Sequence, residues 1–115
     1  MIQKILATSG VLLTTNSQPW CAEANNYSGA FWYDVCRAEN MQTVCLTYLQ
    51  GITDSLDYLG YVVKKPFVCI PPTVTPTQLR LMLVRQMEKE PQYLGTPASG
   101  IVIRMLQENY GCNKN

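Results

Sequence analysis

Asp54 and Asp57 stand three residues apart, a spacing that lets two carboxylates share one helix face and divide acid and base roles. Such work needs two environments that drive the pKa values apart, and the neighbouring Ser55 offers no such contrast, so a solvated or locally hydrogen-bonded role is expected. The other candidate chemistry is that of thiols. The chain holds five cysteines, Cys21, Cys36, Cys45, Cys69 and Cys112, and no histidine. A nucleophilic Cys36 or Cys45 would lack the imidazole that usually generates a thiolate. Zinc would find neither imidazole ligands nor a C-x-x-C pair. Met82, Met87 and Met105 fall at core spacing and read as packing rather than as a soft-metal site. No catalytic residue, metal ligand set or cofactor is therefore expected, and the thiols read as structural.

The compartment follows from the first 24 residues. Lys4 precedes the apolar run Ile5 to Leu13, and Ala22-Glu23-Ala24 supplies a small-residue cut site, together the pattern of a signal peptide cleaved after Ala24. The run is too short for the about 20 residues a membrane span requires. Gln18, Pro19 and Trp20 before Cys21 are not the small and aliphatic residues a lipoprotein acceptor site wants. Removal of residues 1–24 also removes Cys21 and leaves an even set of four cysteines in segment 25–115, as a closed disulfide framework in an oxidising space such as the periplasm requires. Lys4 and Glu23 leave together, so the net charge stays at +1. With no basic stripe beyond Lys64-Lys65, neither nucleic acid nor an anionic membrane surface is an expected partner.

One short domain must hold its shape through a small core and staples. The expected fold is all-α, a four-helix domain stapled by disulfides. The first helix covers Ser28 to Arg37, with Phe31, Trp32, Val35 and Cys36 on a face. In the second, capped by Asn40, the apolar positions Met41, Cys45, Tyr48, Leu49, Ile52, Leu56 and Leu59 recur every three or four residues. A Pro-rich connection, Tyr61 to Thr73, joins helices two and three; Tyr61-Val62-Val63 and Phe67-Val68 suggest a short strand pair in it. The third helix has the clearest start: Thr75 as N-cap, Pro76 at the first turn, Gln78 completing a capping box and Val74 with Leu79 as a hydrophobic staple. Leu79, Met82, Leu83 and Met87 form its buried stripe, Arg80, Arg85, Glu88 and Lys89 lie mostly outside it, and Pro91 ends it. A fourth helix starts at Thr96-Pro97, buries Ile101, Val102, Met105, Leu106 and Tyr110, and stops at Gly111. Tyr93 and Leu94 in the connection between two capped helices are either packed loop residues or binding anchors.

Cys45-Leu46-Thr47-Tyr48-Leu49-Gln50-Gly51-Ile52-Thr53-Asp54, then Cys69-Ile70-Pro71, then Val74-Thr75-Pro76-Thr77-Gln78 and finally Tyr110-Gly111-Cys112 resemble, in order and spacing, the Rap/Tai family of type VI secretion immunity proteins. Gly111 departs from the pattern, standing where a proline often precedes the last cysteine. The resemblance implies a small helical periplasmic protein that neutralises a peptidoglycan amidase. Within the family the chain is most similar to the branch opposing type 4 amidase effectors, which are cysteine peptidases; that branch acts as homodimers clamping the toxin, which implies a heterotetramer. It further implies that Gly51 permits close helix packing, that Asp54 hydrogen-bonds nearby backbone, and that the cysteines pair. Four cysteines allow three connectivities; the preferred one is Cys45 with Cys69 and Cys36 with Cys112.

The function expected on this basis is stoichiometric inhibition by a preformed element. Glu88, Glu90 and Gln92 are the candidate polar contacts to the amidase cleft, and Tyr93 and Leu94 the apolar anchors. A periplasmic thiol-dependent enzyme and a structural secretion-assembly factor are the rival readings.

Overall fold

Helix α1 (Gly29–Arg37) begins where the Ser28 hydroxyl accepts the Phe31 N–H at 3.2 Å, satisfying one of the donors every helix start leaves free. The computed structural model describes residues 28–112, so the expected leader, its cut after Ala24 and Cys21 lie outside the described residues. Three longer helices follow: α2 (Gln42–Val63), α3 (Pro76–Lys89) and α4 (Ala98–Tyr110), with single 3-10 turns at Glu39–Met41 and Pro91–Tyr93. The all-α, four-helix expectation holds. Among the described residues there is no strand, only an isolated bridge between Ser28 and Pro97. The strand pair expected from Val62 and Phe67 does not form.

The capping box of α3 is complete: Gln78 N–H donates to Thr75 Oγ1 at 3.1 Å and Thr75 N–H to Gln78 Oε1 at 2.8 Å. The start of α2 differs from expectation. Asn40 lies inside the 3-10 turn, Met41 holds the N-cap position, and no side chain caps the helix. Its end differs more, because Tyr61-Val62-Val63 continue the helix. Lys64 stops it in the left-handed region at φ 61°, where the Lys64 and Lys65 N–H groups both donate to the Gly60 carbonyl. The chain then doubles back over Gly60: a Cβ there would meet Pro66 Cα at 3.2 Å. Gly111 takes the C-cap of α4 in an extended rather than a left-handed conformation.

All four helices meet in one core, in which Cys36, Cys45, Leu83, Met87, Val102, Met105 and Leu106 are almost wholly removed from water. The expected stripes of α3 and α4 are the buried ones, although Met82 and Tyr110 are only half-buried. On α1 the Trp32 ring stacks on Tyr48 of α2 with centroids 3.8 Å apart, while Phe31 stays exposed. Gly51 has nothing within 4 Å of an added Cβ, so it permits no close helix packing, contrary to expectation. Arg80 also departs from expectation: it is half-buried and donates to the Cys36 carbonyl at 2.6 Å, placing a cation at the C-terminal end of α1.

Two disulfides form, but the preferred connectivity is wrong. Cys36 pairs with Cys45 and Cys69 with Cys112, with Cα separations of 5.0 and 4.9 Å. The first pair follows from the tight corner between α1 and α2. The second follows from the connection running along the end of α4, where Cys69 N–H donates to the Tyr110 carbonyl at 2.7 Å. In the chain-entropy picture, closing these loops of 9 and 43 residues stabilises by about 3 and about 4 kcal/mol.

Candidate binding surface

The turn from Glu88 to Pro97 joins α3 to α4 and is braced on every side. At its back stands the start of α1, whose free donors it satisfies: Gly29 N–H bonds the Thr96 carbonyl and Ala30 N–H the Leu94 carbonyl, each at 2.8 Å. Within the turn, Thr96 Oγ1 and Thr96 N–H both donate to the Tyr93 carbonyl, at 2.6 and 2.9 Å. At its front Arg104 of α4 donates to Glu90 Oε1 at 2.8 Å and to Glu108 at 3.4 Å, and its guanidinium lies 4.6 Å from the Tyr93 ring centre. Gln86 adds a bond to the same Glu90 oxygen. These contacts hold the Glu90 carboxyl below the usual carboxylate range, with Arg104 the larger cause and Gln86 the second. The same pair raises the pKa of Arg104.

Of the five sequence-derived contact residues, Gln92 and Tyr93 face solvent at the crest of the turn. Glu88 is exposed and accepts a hydrogen bond from Tyr33 of α1 at 2.9 Å, which raises the phenol's pKa. Glu90 is committed to Arg104. Leu94 is half-buried against the core and supports the turn from behind. The sequence reading missed Arg104 and Tyr33. An i,i+4 partner for Arg104, Glu108, is visible in the sequence, but its stronger bond to Glu90 bridges two helices and leaves no local signal.

Asp54 accepts from the Gln50 amide at 2.9 Å on the exposed side of α2, a side-chain bond rather than the expected backbone one. Asp57 is exposed as well. All four described cysteines are in disulfides. No cluster of three or more metal-ligating side chains exists among the described residues, and no helix there is long and apolar enough to cross a membrane.

The described domain is a small helical scaffold with two disulfides that presents a braced polar and aromatic turn. The sequence pattern of the Rap1a immunity proteins matches residues 28–112, the whole described domain, and the chain belongs to that family. No curated protein and no solved structure matches it.

Proposed function

We propose that this chain is a periplasmic immunity protein that binds a type VI secretion peptidoglycan amidase and occludes its active site, protecting the producing cell and its siblings. Membership of the immunity family supports the inhibitory role, and the observation that carries the mode of action is the braced Glu88 to Pro97 turn. A turn already fixed by α1, Arg104 and Thr96 loses little conformational freedom on binding. Tyr93 supplies the apolar anchor with Leu94 packed behind it, Glu88 and Gln92 meet polar groups around a cysteine-peptidase cleft, and Glu90, held by Arg104, fixes the turn that carries them. The inhibitor does no chemistry of its own. It acts as a homodimer, two copies holding two toxins in a heterotetramer, and it reaches the periplasm by a leader cleaved after Ala24.

The test is calorimetric titration of the protein against type VI secretion peptidoglycan amidases of the cysteine-peptidase class. A contact of the standard 1,600 Å² class predicts sub-micromolar affinity, estimated to order of magnitude. No binding at micromolar concentration contradicts the proposal. A strain lacking this gene should lyse beside a toxin-bearing neighbour; survival there would favour the assembly-factor reading.

A further inference from the structure

The two disulfides meet water very differently. Cys36 and Cys45 are each 0 % exposed and belong to the core cluster, so a reagent in solution reaches their sulfurs only when the domain opens. Cys69 is exposed and Cys112 half-buried. Cys69 sits in the connection from α2 to α3, where Lys64, Lys65, Pro66 and Phe67 before it and Pro71 and Pro72 after it are exposed too. Cys112 stands just past the end of α4, on the wall of an open hollow of about 630 Å³ that it shares with Pro66, Phe67 and Gln107.

Few other ties hold the connection at this point. Its backbone bonds outward at Lys65, whose N–H donates to the Gly60 carbonyl at 3.0 Å, and at Cys69, whose N–H donates to the Tyr110 carbonyl at 2.7 Å. Of the side chains from Lys64 to Thr73, Val68 alone is buried. The turn from Glu88 to Pro97 hangs on other contacts, with α1 through Gly29 and Ala30 and with Arg104 through Glu90. None of these runs through Cys69 or Cys112. The bridge can therefore open without unlocking either the core or the turn.

We infer that Cys69–Cys112 is a thiol–disulfide exchange site, opened by a dithiol while the protein stays folded, and that Cys36–Cys45 is closed to the same reagent. A thiolate of the dithiol attacks Sγ of Cys69, the more exposed residue of the pair. A new S–S bond forms there as the Cys69–Cys112 bond breaks, and the electron pair leaves on Cys112 Sγ. The second thiol of the reagent, deprotonated, then attacks its own partner sulfur in the mixed disulfide, and Cys69 departs as a thiolate. The dithiol ends as a disulfide, oxidised by two electrons; Cys69 and Cys112 end as thiols carrying the two protons it gave up. Opening leaves the connection held to α4 by the Cys69–Tyr110 hydrogen bond and the Val68 side chain, with α1 and the turn in place.

Incubating the native protein with dithiothreitol, quenching with iodoacetamide at intervals and mapping the labelled peptides by mass spectrometry tests it. Label should reach Cys69 and Cys112 at least about a hundredfold faster than Cys36 and Cys45, because the buried pair waits for the domain to open. Helix content by circular dichroism should not change at the two-thiol stage. Four thiols appearing together, or Cys36 and Cys45 labelled first, overturns the exchange site. The source of the dithiol is read with an oxidoreductase of the C-x-x-C class whose second cysteine is replaced by alanine. A mixed disulfide at Cys69 assigns the site to a protein dithiol, an adduct at Cys112 overturns the direction of attack, and no adduct beside reduction by dithiothreitol assigns it to small thiols. The alkylated two-thiol protein should bind the amidase of the proposed function within about threefold of the oxidised protein. Loss of binding confined to the opened form overturns the independence of the turn, whereas binding by neither form sinks the amidase reading and leaves the exchange site standing.

Discussion

Gly29 shows how one atom ties the binding turn to the scaffold. It opens α1, where alanine is intrinsically the better helix former, yet an added Cβ would meet Ile101 Cδ1 at 2.6 Å and the Leu94 backbone at 3.2 Å. The isoleucine tip can move, whereas the turn backbone cannot move without losing its bonds to Gly29 and Ala30. Gly29→Ala is therefore expected to destabilise by about 1–3 kcal/mol in denaturant unfolding. Glu90 makes the complementary prediction in pH. Its carboxyl pKa is lowered in the folded state, chiefly by the hydrogen bond from Arg104, so the unfolded chain takes up a proton first as pH falls. The stabilisation is complete above the ordinary carboxylate range and is lost as pH drops through the lowered folded value. Thermal unfolding of wild type and Glu90→Gln should differ at neutral pH and converge in acid; a gap that widens in acid would contradict this.

At the scale of elements, what is written locally was legible and what is fixed by tertiary contact was not. The start of α3 could be read because Thr75, Pro76 and Gln78 supply the whole cap within four residues. The end of α2 could not, because Tyr61-Val62-Val63 have strand-like side chains and the stop is a left-handed Lys64 where a glycine would have announced it. Left-handed geometry strains a Cβ-bearing residue, so Lys64→Gly should stabilise the protein by about 1 kcal/mol in the same unfolding assay. The cysteines signalled a framework, but their pairing depends on where α1 turns into α2 and where the connection meets α4. The turn was legible as a candidate site from its place between capped helices. Its bracing by Arg104 and Tyr33 arises from helices that are distant in sequence. Peptide mapping under non-reducing conditions should recover Cys36 with Cys45 and Cys69 with Cys112; any other pairing refutes the corner geometry. Cys69→Ser with Cys112→Ser should cost about 4 kcal/mol, somewhat more than the about 3 kcal/mol for removing the shorter loop.

Across the whole molecule the core and the Cys36–Cys45 bridge hold α1, and α1 in turn holds the turn from Glu88 to Pro97, the proposed amidase contact. Truncating the crest should therefore separate binding from folding. Tyr93→Ala removes an exposed ring whose main internal contact is Arg104, and it is expected to weaken amidase binding by about 2 kcal/mol, roughly thirtyfold, with little loss of stability. The most direct measurement is a titration of oxidised protein into the type VI secretion amidase proposed as its target, following release of cleaved peptidoglycan stem peptides. The account predicts a linear fall in activity that reaches zero at one copy of this chain per amidase. Undiminished cleavage with the inhibitor in micromolar excess would contradict it.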